Sequence, residues 1–559
     1  MRWDRPAAGR EPAAAALLGW LADPHAPRLC LVSGSTGCGK STLLAWLVQH
    51  GSRHGAATER AVHAVVPFAE DSLRGTVWSL ADQLGVVARA PGELVAALGN
   101  DPRRTVIVLP GLPGEDIAEL ALALVRLPHL RLIVECRSHS PVHRLLAATG
   151  CAELDLDRAW STDRARYEQW RAARPDSSDA ITSSADVAVV DLSDPRAVCE
   201  ADPWTVTVAY EQEREHGHGG LRDAWLRAGQ ALGGESSPAS RALLLLTALG
   251  DHADPRLAPV LSDLASQAPW RMEWSRVRGD LTPPWPGPVT GLALGRGPLS
   301  GSLIVAGHDG TARTVHVADA TARGRWPWEQ GRPAAMSVME DGTVLLLDRN
   351  GRVHADTTWA ARPAKSAIET VLDARPTGGS RLVTMLRGQT GTSLAWGTAE
   401  RGTDIVAIGD AQGTVRVFGD VHGKADLHHG QVTALTAFRL QLDHDAALPL
   451  LYSGGADGTV RAWAPGHAPQ STPVVQRSRS VVSLDAADTA RGPELAVAWD
   501  DGVVSLHGLD DGTLHTFRSG SPVRAVTLIG DERVLIGTDE ALICLTPQHG
   551  TPRGDSATS

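Results

Sequence analysis

Gly413, Gly458 and Gly502 fall 45 and 44 residues apart, and each closes a turn between two short apolar runs. The same module, strand then glycine turn then strand, recurs at Ile304–Val315, Ile405–Phe418, Leu451–Trp463 and Leu495–Leu506. A period of this length matches one four-stranded propeller blade. A blade has two open hydrogen-bonding edges and cannot stand alone, so the repeat implies closure into a ring. Residues 269–548 are therefore expected to form a β-propeller. Gly310 and Gly342 lie closer together, and the interval from Gly342 to Gly413 reads as two short blades, the first degenerate around Ser380–Arg387. With a last blade over Pro522–Leu545, the count is about seven, and six or eight also fit. The strand-like Arg271–Val277 is expected to pair with that last blade and close the ring. Trp463 and Trp499 fall on blade strands and read as core, whereas His422, His428 and His429 read as surface histidines of one loop.

The front of the chain is of another kind. The run Gly34-Ser35-Thr36-Gly37-Cys38-Gly39-Lys40-Ser41 follows the apolar strand Leu29–Val32 and precedes the helical pattern Thr42–Val48. Strand, glycine-rich loop and helix are the context a phosphate-binding loop requires. Its glycines let successive N–H groups converge on phosphate oxygens, and the helix N-terminus adds partial positive charge. Lys40 would reach the β- and γ-phosphates, and the Ser41 hydroxyl would ligate Mg²⁺. Only three lysines occur in the chain, Lys40, Lys365 and Lys424, which makes a chance match rare. Cys38, inside the loop, reads as a spacer.

Alternating strands and helices over residues 1–160 predict a doubly wound parallel sheet. Its strands are expected at Arg28–Val32, Arg60–Phe68, Arg104–Leu109, Leu130–Cys136 and Cys151–Leu156. Residues 161–268 carry helical periodicity and form an α domain, with a flexible loop at 175–185. Residues 549–559 read as a disordered tail. In the loop Gly217–Gly220, flanking His216 and His218 lack a full metal-ligand set. The net charge of −11 with no basic block argues against nucleic acid and anionic membranes. Six scattered cysteines without a CxxC pair suggest neither a zinc site nor a disulfide framework, and fit a cytoplasmic location. No stretch reaches transmembrane length.

The first 270 residues resemble the STAND class of AAA-related P-loop NTPases, joined here to a WD-repeat propeller of the actinobacterial type. The resemblance rests on Gly9-Arg10-Glu11 before the first helix, the phosphate loop, Leu80–Gly85 ending the helix after the second strand, Arg137 after the fourth strand, and Asp202-Pro203-Trp204. It implies a sheet of order 5-1-4-3-2, with ATP or ADP and Mg²⁺ held at Gly34 through Thr42. It places Arg10, Pro203 and Trp204 near base and ribose, and makes Arg137 a sensor of the γ-phosphate. It further implies a switch in which nucleotide sets the arrangement of the helical domain while the propeller recruits a protein partner. Homo-oligomerisation stays open. Read from the residues alone, Arg10 is equally a cap, Trp204 a core anchor and Arg137 a salt-bridge partner.

One departure matters. The third strand should end in an acid that holds Mg²⁺ through water, followed by an acid that orients the attacking water. The chain instead reads Leu109-Pro110-Gly111-Leu112-Pro113. Proline has no side-chain oxygen, so weak or absent hydrolysis is expected while phosphate binding survives. The alternative is an active ATPase that recruits Glu115, Asp116 or Glu135.

Overall fold

The computed structural model describes residues 5–51, 61–66, 72–111, 114–158, 162–173, 190–213, 216–279, 285–328, 332–358, 382, 384–398, 403–441 and 447–548. The chain divides into two compact units, Met1–His216 and Gly217–Ser559.

The first unit is an α/β sandwich. Its elements in order are α1 (Glu11–Ala22), β1 (Leu29–Ser33), α2 (Lys40–Gly51), β2 (Ala64–Val65), α3 (Leu73–Leu84), α4 (Pro91–Gly99), β3 (Thr105–Leu109), α5 (Glu115–Val125), β4 (Leu130–Glu135), α6 (Pro141–Ala147), β5 (Ala152–Asp155), α7 (Arg164–Ala172), α8 (Pro195–Glu200) and α9 (Pro203–Gln212). The strands pair in parallel in the order β2-β3-β4-β1-β5, the expected order read from the other edge. Every residue of β1, β3 and β4 is buried, as strands covered by helices on both faces must be. One face carries α1 and α2, whose Leu17, Leu21, Leu43 and Leu47 pack onto Val32, Val106 and Ile133. Ser72 caps α3 by accepting from the Gly75 N–H at 2.8 Å. Helix α4 is not foreseen in the sequence reading; Pro91 sits in its first turn, where a missing N–H costs nothing. The second strand shortens to two described residues. Segment 175–185 and tail 549–559 lie outside the described residues.

In the second unit α10 (Leu221–Ala228), α11 (Gln230–Gly234), α12 (Pro238–Ala248) and α13 (Leu257–Leu264) precede β6 (Trp270–Val277). Gly229, at φ 53° and ψ −131°, breaks the helix expected over Leu221–Leu232 into α10 and α11. Helix α12 packs on β6. Six sheets follow: β7–β10 (Val289–Leu294, Ser302–Gly307, Thr311–His316, Ala322–Pro327), β11–β13 (Pro333–Val338, Val344–Asp348, Val353–Asp356), β14–β17 (Ser393–Thr398, Asp404–Gly409, Thr414–Gly419, Gly423–Asp426), β18–β21 (Val432–Gln441, Ala447–Gly455, Thr459–Trp463, Val475–Gln476), β22–β25 (Val481–Thr489, Gly492–Trp499, Val503–Gly508, Leu514–Arg518) and β26–β28 (Val523–Ile529, Arg533–Thr538, Ala541–Pro547). The last gains β6 as its fourth strand, antiparallel to β28 from Ala541↔Val277 to Pro547↔Trp270. The closure expected at Arg271–Val277 is therefore present.

The propeller has six blades, within the expected range and one fewer than the seven counted from the repeat. Among the described residues of Ser380–Arg387, where the extra blade was placed, there is no strand. Leu382 and Leu386 lie in helical turn, buried against Met339, Leu345, Leu347, Leu394 and Trp396 of the second and third blades. Inner strands β7, β11, β14, β18, β22 and β26 surround a central channel of about 430 Å³. Adjacent inner strands are tied by side chains. Ser337 Oγ accepts from the Trp396 N–H at 3.0 Å. Asp485 accepts from Thr436 Oγ1 at 2.9 Å, Thr527 Oγ1 at 2.6 Å and the Leu528 N–H at 2.9 Å, spanning three blades.

The turn glycines of the repeat are left-handed: φ is 93° at Gly413 and 75° at Gly458. A Cβ at Gly413 would stand 2.0 Å from the His428 carbonyl oxygen, so the turn admits no side chain. Trp463 and Trp499 are buried, as expected. His428 is not the surface residue its loop suggested. It is buried, with Nδ1 3.1 Å from Asp457 Oδ1 and 3.0 Å from Thr459 Oγ1, and Nε2 2.8 Å from Ser453 Oγ. Burial pushes its pKa below the ordinary 6.5 although Asp457 pulls upward. The unfolded chain thus takes up a proton near pH 6.5 that the fold refuses. Propeller stability is accordingly expected in full above that pH and to decline as pH falls below it. Half-buried His507, lowered by desolvation, acts with the same sign. Denaturant midpoints measured from about pH 7.5 to about 5.5 should fall, and more shallowly in His428→Gln than in the wild type. An unchanged slope in that variant would remove His428 from the account.

Candidate functional site

The loop Gly34–Ser41 joins β1 to α2 at the carboxyl end of the central strands, where doubly wound sheets bind ligands. Gly34, Gly37 and Gly39 take φ of 144°, 76° and 94°. Gly39 is indispensable in a second way: a Cβ there would meet the Tyr167 ring at 2.5 Å. Lys40 is buried and curls back over its own loop. Its Nζ donates to the Gly34 carbonyl at 3.1 Å and the Ser35 carbonyl at 2.9 Å. Burial raises the Cys38 thiol, against the pull of Lys40, which fits a spacer and not a reactive thiolate.

Three side chains that the sequence reading did not single out brace the loop. Asp157, just past β5, accepts from the Ser35 N–H at 2.6 Å and from Ser35 Oγ at 2.8 Å. Tyr167 and Arg171 both come from α7. Tyr167 Oη lies 3.5 Å from Thr42 Oγ1, and Arg171 Nη1 donates to the Gly37 carbonyl at 3.4 Å. Their spacing of four along a charged helix, which places them on one face, is the signal that could have found them.

Arg10 lies inside this cover at 1 % exposure. Its guanidinium stacks over Tyr167, 4.1 Å from the ring centroid, and Nη2 donates to the Cys38 carbonyl. Nε and Nη1 are buried without a hydrogen-bond partner among the described residues. Burial lowers its pKa, with Tyr167 and Asp157 opposing. A surface cap is therefore the wrong description of Arg10. A buried guanidinium with two spare donors beside a glycine-rich loop can receive an anion.

On the far side of Lys40, Ser41 Oγ donates to Glu135 Oε1 at 3.0 Å. Glu135 ends β4, is 8 % exposed, and its Oε2 has no partner among the described residues. Burial raises its pKa; Ser41 and the charge of Lys40 pull the other way. Glu153, on β5 across β1, is engaged: Oε1 accepts from Ser33 Oγ at 2.9 Å and lies 2.8 Å from His143 Nε2. That contact with His143 holds its carboxyl below the usual range.

No protein-family model matches the chain. No curated protein matches it either.

Of the remaining expected residues, Arg137 stays beside the loop, since the N–H of the next residue, Ser138, donates to the Gly34 carbonyl at 3.4 Å. Glu115 and Asp116 are exposed in the first turn of α5. Arg137 is exposed after β4. Pro203 and Trp204 open α9, capped by Asp202, and α9 packs beside α3, where Arg74 pairs with Glu211 at 3.6 Å. Pro110 is buried at the end of β3, and Pro113 lies outside the described residues.

Proposed function

We propose that the α/β unit is a nucleotide-binding switch of the STAND kind, holding ATP or ADP with Mg²⁺, and that the propeller presents a protein-binding surface. Arg10 carries this reading, because its buried, unpartnered N–H groups ask for an anion beside a loop built to cradle phosphate. Gly34 through Thr42 would wrap the phosphates, with Lys40 turning from its own carbonyls to them. The cation fits the residues present: the Ser41 hydroxyl and the spare oxygen of Glu135 are hard donors. When bound, Mg²⁺ would bridge phosphate oxygens and offset their charge. Pro110 offers no oxygen to position a water, so hydrolysis is weak or absent, and the nucleotide sets the arrangement of the helices that follow the sheet. A propeller is commonly a protein-interaction domain, and no helix among the described residues is long and apolar enough to cross a membrane.

Turnover of ATP is the second reading. Glu135 favours it, as a buried carboxylate at the loop; Glu115 and Asp116 are exposed and give it no such support. Calorimetric titration of the purified chain with ATP, ADP and GTP, with and without Mg²⁺, tests both when paired with a phosphate-release assay. Saturable adenine-nucleotide binding without release is expected. Flat isotherms for every nucleotide would remove the switch, and steady release abolished in Glu135→Gln would establish the enzyme.

A further inference from the structure

We infer that Glu135 of β4 is the carboxylate that holds a divalent cation beside Ser41, taking over from the neighbouring strand β3 a role that Pro110 cannot fill. The inference rests on the nucleotide reading above and names the residue that makes the site cation-dependent. In the sheet, β4 lies between β1 and β3, so its last residue emerges next to the phosphate loop, with Glu135 in register with Val32. From there Oε1 reaches Ser41 Oγ at 3.0 Å, the hydroxyl that a bound cation would share. Oε2 is buried without a partner among the described residues.

A carboxylate buried with one oxygen unsatisfied costs stability unless a ligand or a proton completes it. The other acids near the loop are already used. Asp157 binds the Ser35 N–H and hydroxyl, and Glu153 binds Ser33 and lies against His143. Glu135 and Ser41 thus supply one carboxylate oxygen and one hydroxyl, a pair suited to Mg²⁺ or Mn²⁺ completed by water and phosphate oxygens. Lys40 is the only lysine in the α/β unit and lies close enough for its charge to act on Glu135, so carboxylate, cation and ammonium would together meet the phosphate charge.

The test separates charge from shape. Glu135→Gln keeps the side chain's size and an oxygen that accepts from Ser41, but removes the negative charge. ADP affinity is measured by calorimetry in EDTA and in Mn²⁺, and bound Mn²⁺ is counted by loss of its free electron-paramagnetic-resonance signal. In the wild type, Mn²⁺ should tighten ADP about tenfold, with one ion bound per nucleotide. In Glu135→Gln the affinity in EDTA should be no weaker than in the wild type, because a negative charge beside the phosphates is gone, while the tightening by Mn²⁺ and the bound Mn²⁺ are lost. Glu135→Asp, which keeps the charge, should recover part of both, and Ser41→Ala should lose them with the carboxylate intact. Circular dichroism and melting of each variant verify the fold. Wild-type tightening and Mn²⁺ stoichiometry in Glu135→Gln would overturn the inference and leave the nucleotide reading standing. Absence of ADP binding to the wild type in either condition would overturn both.

Discussion

Lys40→Ala is expected to weaken ATP and ADP binding by about 100-fold, because one charge-assisted contact to phosphate is worth about 1.5–3 kcal/mol. Lys40 is buried and pre-positioned, its ammonium resting on the Gly34 and Ser35 carbonyls. Those two acceptors lie on the loop itself, so the ammonium need only swing from carbonyl to phosphate. Little side-chain entropy remains to be lost, which is why the effect should lie toward the top of that range. The same variant tests the site against a general effect on folding. A ligand that binds only the folded state raises the melting temperature in proportion to the logarithm of its saturation. Wild-type protein should therefore melt higher with millimolar ADP than without. Lys40→Ala should melt near the wild-type apo value and respond little to ADP. Equal affinities in the two proteins would place the nucleotide elsewhere or nowhere.

Why some of this was legible and some was not follows from the range of each interaction. The phosphate loop is local: strand, glycines and helix start are contiguous, and the glycines have the left-handed φ their spacing implied. The family resemblance, not the residues alone, implied the sheet order; ring closure was legible because an orphan strand ahead of the repeat has few partners to choose from. The cover over the loop was not legible. Tyr167 and Arg171 reach Thr42 and Gly37 across more than 120 residues of sequence, and a charged helix alone names no partner. His428 misled for a like reason. Its loop is polar, but Ser453 and Asp457 arrive from the next blade and enclose it. The blade count failed where the repeat itself lapses. Between Gly342 and Gly413, apolar Leu382 and Leu386 fill an inter-blade gap from a helical turn instead of a strand. Glu135 stood in the sequence as one of three acids; only geometry separates it, because its partner Ser41 lies 94 residues away.

Trp274→Ala is expected to destabilise the propeller by about 3–5 kcal/mol, the usual cost of truncating a buried aromatic. Trp274 is on β6, the strand that precedes the ring in sequence yet completes its last blade. Its ring packs among Val289, Leu303, Val305 and Val315 of the first blade and Leu535, Leu542 and Cys544 of the last. Its Nε1 donates to the Val317 carbonyl at 3.0 Å, so truncation also strips that carbonyl of a partner. Trp270, on the same strand, donates to the Thr516 carbonyl at 2.8 Å and ties β6 to the fifth blade. The two indoles thus fasten the closing strand to both neighbours. Closing a ring whose ends lie some 270 residues apart costs chain entropy that contacts at the seam must offset, and Trp274 is one of two buried indoles there. Leu514→Ala, on the exposed outer strand β25, is the control and should change stability by no more than about 0.5 kcal/mol. Denaturant titration followed by tryptophan fluorescence measures both. If Trp274→Ala shifted the transition no more than Leu514→Ala, ring closure through β6 would not be what holds the blades together.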